Sequence, residues 1–102
     1  MSNPNYIAGR NFEYEVMAHY RKLGYYCFRS AGSHSEADII CLKQRVTDWD
    51  EYYMPLVIQC KRYTGSKPKP SESFKEFKIV VGKKLWVTKH KGASFFEIEE
   101  VE

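Results

Sequence analysis

Apolar residues recur along this chain with two periods. Between Asn5 and Gly24, Phe12, Val16, Tyr20 and Leu23 return every three or four residues, which marks one face of an α-helix. The helix is expected to start between Asn5, as a cap, and Gly9, and to stop at Gly24, since glycine suits the residue after a helix end. At about 100° per residue, Glu13 falls on the flank of the apolar stripe, beside Val16, Met17 and Tyr20. Glu15 falls with Asn11 and Lys22 and should face water. Short β-prone runs then appear at 25–30, 37–43, 56–63, 85–88 and 94–98. The polar stretch 44–54, with a turn at 47–50, joins the second and third runs as a long hairpin in which Trp49 packs on the edge or stands exposed. Thr64 to Pro70 reads as a basic loop, because Pro68 and Pro70 forbid regular structure. Ser71 should cap a second helix over 71–82, with Phe74, Phe77 and Val80 or Val81 as its apolar side and Gly82 as its end. The acidic end of the chain should fray. The expected architecture is a single α/β domain over 1–102, a central mixed five-stranded sheet flanked by helices, in the order αβββαββ.

Two strands break the pattern of a buried strand. The second opens at Asp38, and the third carries Gln59 and Lys61 within an otherwise apolar run, two apart and so on one face by alternation. An acid beside a Gln-x-Lys pair is raw material for a metal site with a cation next to it. Taken singly, each has a plainer role: Asp38 capping a turn, Lys61 snorkelling to an edge, Gln59 bonding its neighbours. Their coincidence in the two most buried-looking strands, with an inward Glu13 upstream, favours a site.

Charge sharpens this. The chain carries a net +3, but 61–91 hold ten Lys/Arg against two Asp/Glu, while 92–102 hold four acids and no base. Such a cationic block suits a polyanion, nucleic acid above all, although a solvated lysine-rich surface has the same composition. No apolar run is long enough to span a membrane, and residues 1–8 lack the features of a signal peptide. Cys27, Cys41 and Cys60, odd in number and widely spaced, fit reduced buried thiols in a cytoplasmic protein (or host cytoplasm for a viral one) better than disulfides or zinc.

Phosphodiester hydrolysis needs an activated water and a charge-stabilised transition state, and a hard divalent cation with oxygen ligands serves both. Candidate ligands are the carboxylates of Glu13 and Asp38, the side-chain carbonyl of Gln59 and the main-chain carbonyl of Cys60. Lys61 would orient the water or neutralise developing charge. The small-residue loop from Ala31 to Ser35, Ser33 included, could approach a phosphate backbone closely. Lys67 and Lys69 would hold phosphates without choosing sequence. His19 and His34 read as helix-surface and loop residues and His90 as a turn residue, because no serine or cysteine is spaced for a nucleophilic triad.

The stretches Gly9-Arg10-Asn11-Phe12-Glu13, Gly24-Tyr25, Arg29-Ser30-Ala31-Gly32-Ser33, Ala37-Asp38-Ile39-Ile40 and Val57-Ile58-Gln59-Cys60-Lys61 resemble the PD-(D/E)xK nuclease superfamily. Within it the likeness is greatest to archaeal-type Holliday-junction resolvases. The resemblance implies a restriction-endonuclease-like core and a homodimer that cuts branched double-stranded DNA with Mg²⁺ or Mn²⁺. It maps the helix acid to Glu13, the strand acid to Asp38, the lysine to Lys61 and a DNA-touching serine to Ser30, with Arg10 and Arg29 as basic neighbours. Gln59 stands where the family has glutamate; that form, followed by Arg62-Tyr63, resembles the Mrr-like branch, adds Arg62 to the expected DNA contacts and removes a negative charge from the site. The family's long second helix, which helps build the dimer face, must be abbreviated in 71–82. A nuclease on linear or flapped duplex and a non-cleaving DNA-binding relative are the alternative readings.

Overall fold

The first helix, α1, spans Pro4–Lys22. Proline suits a first turn, where its missing N–H has no intrahelical partner to lose. The end is a Schellman closure. Gly24, at φ 95°, donates its N–H to the Arg21 carbonyl, and Tyr25 donates to the Tyr20 carbonyl. The rings of Tyr20 and Tyr25 meet edge to face beside it, with centroids 5.5 Å apart. Leu23 therefore lies in the turn and is exposed, not on the inward stripe. The computed structural model describes residues 4–30 and 37–102.

The strands are β1 (Tyr26–Arg29), β2 (Ile39–Val46), β3 (Glu51–Tyr63), β4 (Lys83–His90) and β5 (Glu97–Val101), with a second helix, α2, at Glu72–Glu76. They form one mixed five-stranded sheet in the order β1-β2-β3-β4-β5. β1, β2 and β3 run antiparallel in turn, β4 lies parallel to β3, and β5 returns antiparallel. The sheet and the order αβββαββ are those expected from the sequence. The β2–β3 hairpin is tighter than expected, because β-branched and aromatic residues carry both strands up to a turn at 47–50. There Thr47 accepts from the N–H groups of Trp49 and Asp50, and Trp49 stands in solvent. The acidic end forms β5 instead of fraying. Phe96 anchors its start in the core, edge to face with Phe12 and with His19, which is thereby half-buried and not on the surface.

Pro55 interrupts no ladder bond. Residues 58 and 60 of β3 turn their polar groups toward β2, so 55, 57 and 59 turn toward β4. Pairing with β4 begins only at Leu56. Gly82, at φ 103°, closes against Pro55 there, and a Cβ would run into the Pro55 carbonyl.

The main core lies between α1 and one sheet face: Phe12, Val16, Met17 and Tyr20 on Cys27, Ile39, Cys41, Leu56, Ile58, Leu85 and Val87. Each large side chain so buried contributes about 1.5–3 kcal/mol. A smaller cluster on the other face gathers Ala37, Val57 and Phe74, flanked by Ile79 and Val101. α2 is five residues long, not the twelve of 71–82, and Phe77, Val80 and Val81 are exposed. The β-branched run Ile79-Val80-Val81 resists helix. Lys84, buried on β4, donates to the carbonyls of Phe74, Lys75 and Phe77, ending the helix where it does. Among the described residues, no helix is long and apolar enough to cross a membrane.

Candidate active-site cleft

β2 leaves the sheet early. Its last pair with β3 is Ile39 with Ile58, while β3 runs on to Tyr63 beside β4 alone. Into that gap opens a cleft of about 620 Å³, walled by the first half of α1 and lined by Glu13, Asp38, Cys60, Lys61, Arg62 and Lys91 among others.

Asp38 holds its place through three bonds. Its N–H donates to the Ile58 carbonyl, its own carbonyl accepts from Ser30 N–H, and its Oδ2 accepts from Cys60 N–H, each at 2.8 Å. The last bond is a ladder bond made by a side chain in place of the departed β2 backbone. In a strand the N–H and C=O of one residue point the same way, so the Cys60 carbonyl faces the same gap. Glu13 comes from the helix, with its side chain largely buried, and pairs with Arg29 at 3.4 Å.

Both carboxyls titrate above their ordinary range. For Glu13, burial raises the pKa most, Arg29 lowers it and the nearby Asp38 raises it again. For Asp38, burial again leads, opposed by the Cys60 N–H and by the charges of Lys61 and Arg29. Two partly desolvated acids that feel each other thus hold their protons more tightly than they would in water. Cys60 takes part through its backbone only. Burial, then Asp38 and Glu13, push its thiol pKa far up, so it stays protonated. Cys27 and Cys41 are free thiols packed side by side in the core, with sulfurs 3.0 Å apart.

Gln59 is directed elsewhere. Its amide nitrogen donates to Ser71 Oγ at 3.2 Å, and its amide oxygen accepts from Ser71 N–H at 3.4 Å. Ser71 in turn caps α2. Gln59 is not among the residues lining the cleft. The expectation that it shares one site with Asp38 and Lys61 is corrected here: on its face of β3, the segment bearing α2 meets the side chain first.

Among the expected DNA contacts, Arg62 lines the cleft, Ser30 joins Asp38 through its backbone, and Arg29 lies beside Glu13. Arg10 is half-buried on α1 and Lys69 is exposed. Lys67 pairs with Glu97 at 2.9 Å and Glu99 at 3.8 Å on β5. Glu15 pairs with Lys89 at 2.9 Å, so it faces a partner as well as water. Ser33, His34 and Glu36 lie outside the described residues. Lys91, just beyond β4, was missed in the sequence. Its N–H donates to the Tyr63 carbonyl, a long-range contact that local pattern cannot reveal.

Two carboxylates and a main-chain carbonyl on one gap are oxygen donors of the kind a hard cation takes. Among the described residues, no three His, Cys, Asp or Glu side chains group as metal ligands, so water would complete the shell. No family model matches the chain, nor does any curated protein or solved structure.

Proposed function

We propose that this chain is a metal-dependent endodeoxyribonuclease with a restriction-endonuclease-like core, acting on branched duplex DNA such as a four-way junction. One observation carries the reading: Glu13 from a helix, Asp38 from a strand end and Lys61 from the next strand line a single cleft, although far apart in sequence. The αβββαββ order in a mixed sheet supports the fold assignment.

In this reading Glu13, Asp38 and the Cys60 carbonyl hold Mg²⁺ or Mn²⁺. Held there, such an ion would supply Lewis-acid polarisation of a phosphoryl oxygen and a more acidic water. Lys61 lies at the cleft and interacts electrostatically with Asp38. Its ammonium stabilises charge on the phosphate as the bond to the leaving oxygen lengthens. Arg62 and Lys91 meet neighbouring phosphates and fix the register of the duplex. Gln59 contributes through Ser71 and α2, not as a ligand, which leaves the site one charge poorer than a two-acid strand motif would and should weaken metal binding.

The test is incubation of the pure protein with a labelled four-way junction and a matched linear duplex, in Mg²⁺, Mn²⁺ or chelator. Paired, metal-dependent nicks near the branch point support the proposal. Cutting of linear duplex alone moves the substrate to ordinary duplex. Junction binding without any cleavage leaves a DNA-binding relative and rejects the enzyme.

A further inference from the structure

A second cavity lies on the same sheet face as the cleft, at the other end of α1. Lys43 donates to the Leu23 carbonyl at 3.0 Å, so the helix ends over the middle of β2. β2 and β3 run on past it to Val46 and Glu51. Cys41, Leu56 and Leu85 pack toward α1, so alternation turns Arg45, Tyr52, Met54 and Lys83 to that face as well. With Tyr20 and Tyr25 as a wall, they line a cavity of about 510 Å³, an ordinary size for a small-ligand site.

Its lining sorts by chemistry. The floor is apolar, with Met54, Leu56 and Leu85. Tyr52 is 42% exposed, and Arg45 is its direct partner across the β2–β3 ladder, so ring and guanidinium stand side by side. Lys43 is spent on the helix end, and Lys83 faces Glu100 at 3.8 Å. No acid pairs with Arg45 among the described residues. Tyr20 is 6% exposed and lines the cavity, yet its hydroxyl has no hydrogen-bond partner among the described residues. Burial pushes its pKa up to about 12, so it remains a donor.

We propose that this cavity binds a nucleotide, with its base stacked on Tyr52 and its phosphate on Arg45. An aromatic ring above an apolar floor suits a base, which stacks whatever its identity. An unmatched guanidinium beside that ring suits a phosphate, which it grips in fork geometry. The Tyr20 hydroxyl and the Glu100 carboxylate supply a donor and an acceptor for the polar edge of the base. An acyl chain would leave both Arg45 and the Tyr20 hydroxyl unanswered, and inorganic phosphate would leave the floor unused. The nucleotide is either free in solution or an unpaired residue of a DNA strand. Along β3, Met54 lies six residues from Cys60, about 20 Å at 3.3 Å per residue, so the cavity and the cleft are separate sites. The proposal stands whether or not the cleft cleaves DNA.

Titration calorimetry of the pure protein in chelator tests it, with the deoxynucleoside 5′-monophosphates, their nucleosides, inorganic phosphate and a short 5′-phosphorylated single strand as ligands. At least one monophosphate should bind with a Kd of about 100 μM or below, and about tenfold tighter than its nucleoside or inorganic phosphate. Arg45→Ala should weaken the monophosphate about tenfold and leave the nucleoside unchanged. Tyr52→Ala should weaken both about tenfold. Both side chains are exposed, so both variants should keep the wild-type circular dichroism spectrum. Arg62→Ala, in the cleft, should change neither. If the single strand binds tighter than the monophosphate, and through Arg45 and Tyr52, the ligand is a residue of DNA; if the monophosphate binds tighter, the ligand is the free nucleotide. Monophosphate affinity weaker than about 1 mM, affinity no better than that of inorganic phosphate, or folded Arg45 and Tyr52 variants that bind as the wild type would each overturn the proposal. So would an equal loss in Arg62→Ala, which would put the nucleotide in the cleft.

Discussion

Lys84 and the Glu13–Asp38 pair both draw charge away from water, and they are answered differently. The Lys84 ammonium meets three carbonyls at the end of α2 and the ring of Phe74, so its donors are fully used. Glu13 and Asp38 share one guanidinium, one backbone N–H and a lysine at the cleft, and both carboxyls remain harder to ionise than usual. The first arrangement is complete and serves the fold. The second, among the described residues, leaves two partly desolvated carboxyls near each other in a cleft, where a functional group is more often found than a structural one.

The contrast can be broken most sharply at Lys84. Lys84→Met leaves the α2 carbonyls without their donor and should cost about 2–4 kcal/mol in urea denaturation. At the other pole, Asp38→Asn or Lys61→Ala should lower junction cleavage by at least ~100-fold while leaving junction binding within experimental error. Normal cleavage by either folded variant would remove the residue from the site.

The pH response separates the two regions further. Because the folded pKa values of Glu13 and Asp38 are raised, the native metal-free protein holds those protons more tightly than the unfolded chain. Their contribution to stability is complete below the ordinary values of 4.5 and 3.8 and is lost as pH rises through the folded values. In chelator, the melting temperature of Glu13→Gln with Asp38→Asn should therefore gain on the wild type between pH 4 and neutrality. Saturating Mn²⁺ should close that gap by stabilising only the wild type. A gap that is flat with pH would contradict the desolvation account.

Smaller effects test the divide between cleft and scaffold along β3. With its amide on Ser71, Gln59→Glu should change stability by no more than about 1 kcal/mol and should not restore a metal ligand, so apparent Mn²⁺ affinity by calorimetry stays unchanged. Lys67→Ala loses only an exposed ion pair, at most about 1 kcal/mol. It should make the salt dependence of DNA binding shallower by about one phosphate contact.

The carriers of the local pattern could be read directly. Phe12, Val16 and Tyr20 spelled out the inner face of α1, Gly24 its closure, and the apolar runs the strand that carries Cys60 and Lys61 and the one that Asp38 leads into. Leu23 misled because a period cannot see that the glycine after it has already turned the chain. The length of α2 was hidden because its terminator, Lys84, arrives from β4, eight residues past the end of the helix.

What the sequence determined alone was the set of elements and the chemical types available to a site, since both follow from short-range periodicity and side-chain identity. Tertiary structure decided which of those groups meet. β2 stops at Ile39 and so exposes the edge of β3 to Glu13, while the segment bearing α2 reaches Gln59 first and holds it away. Those outcomes depend on where strands end and layers lie, and such distances are fixed only when the whole chain packs.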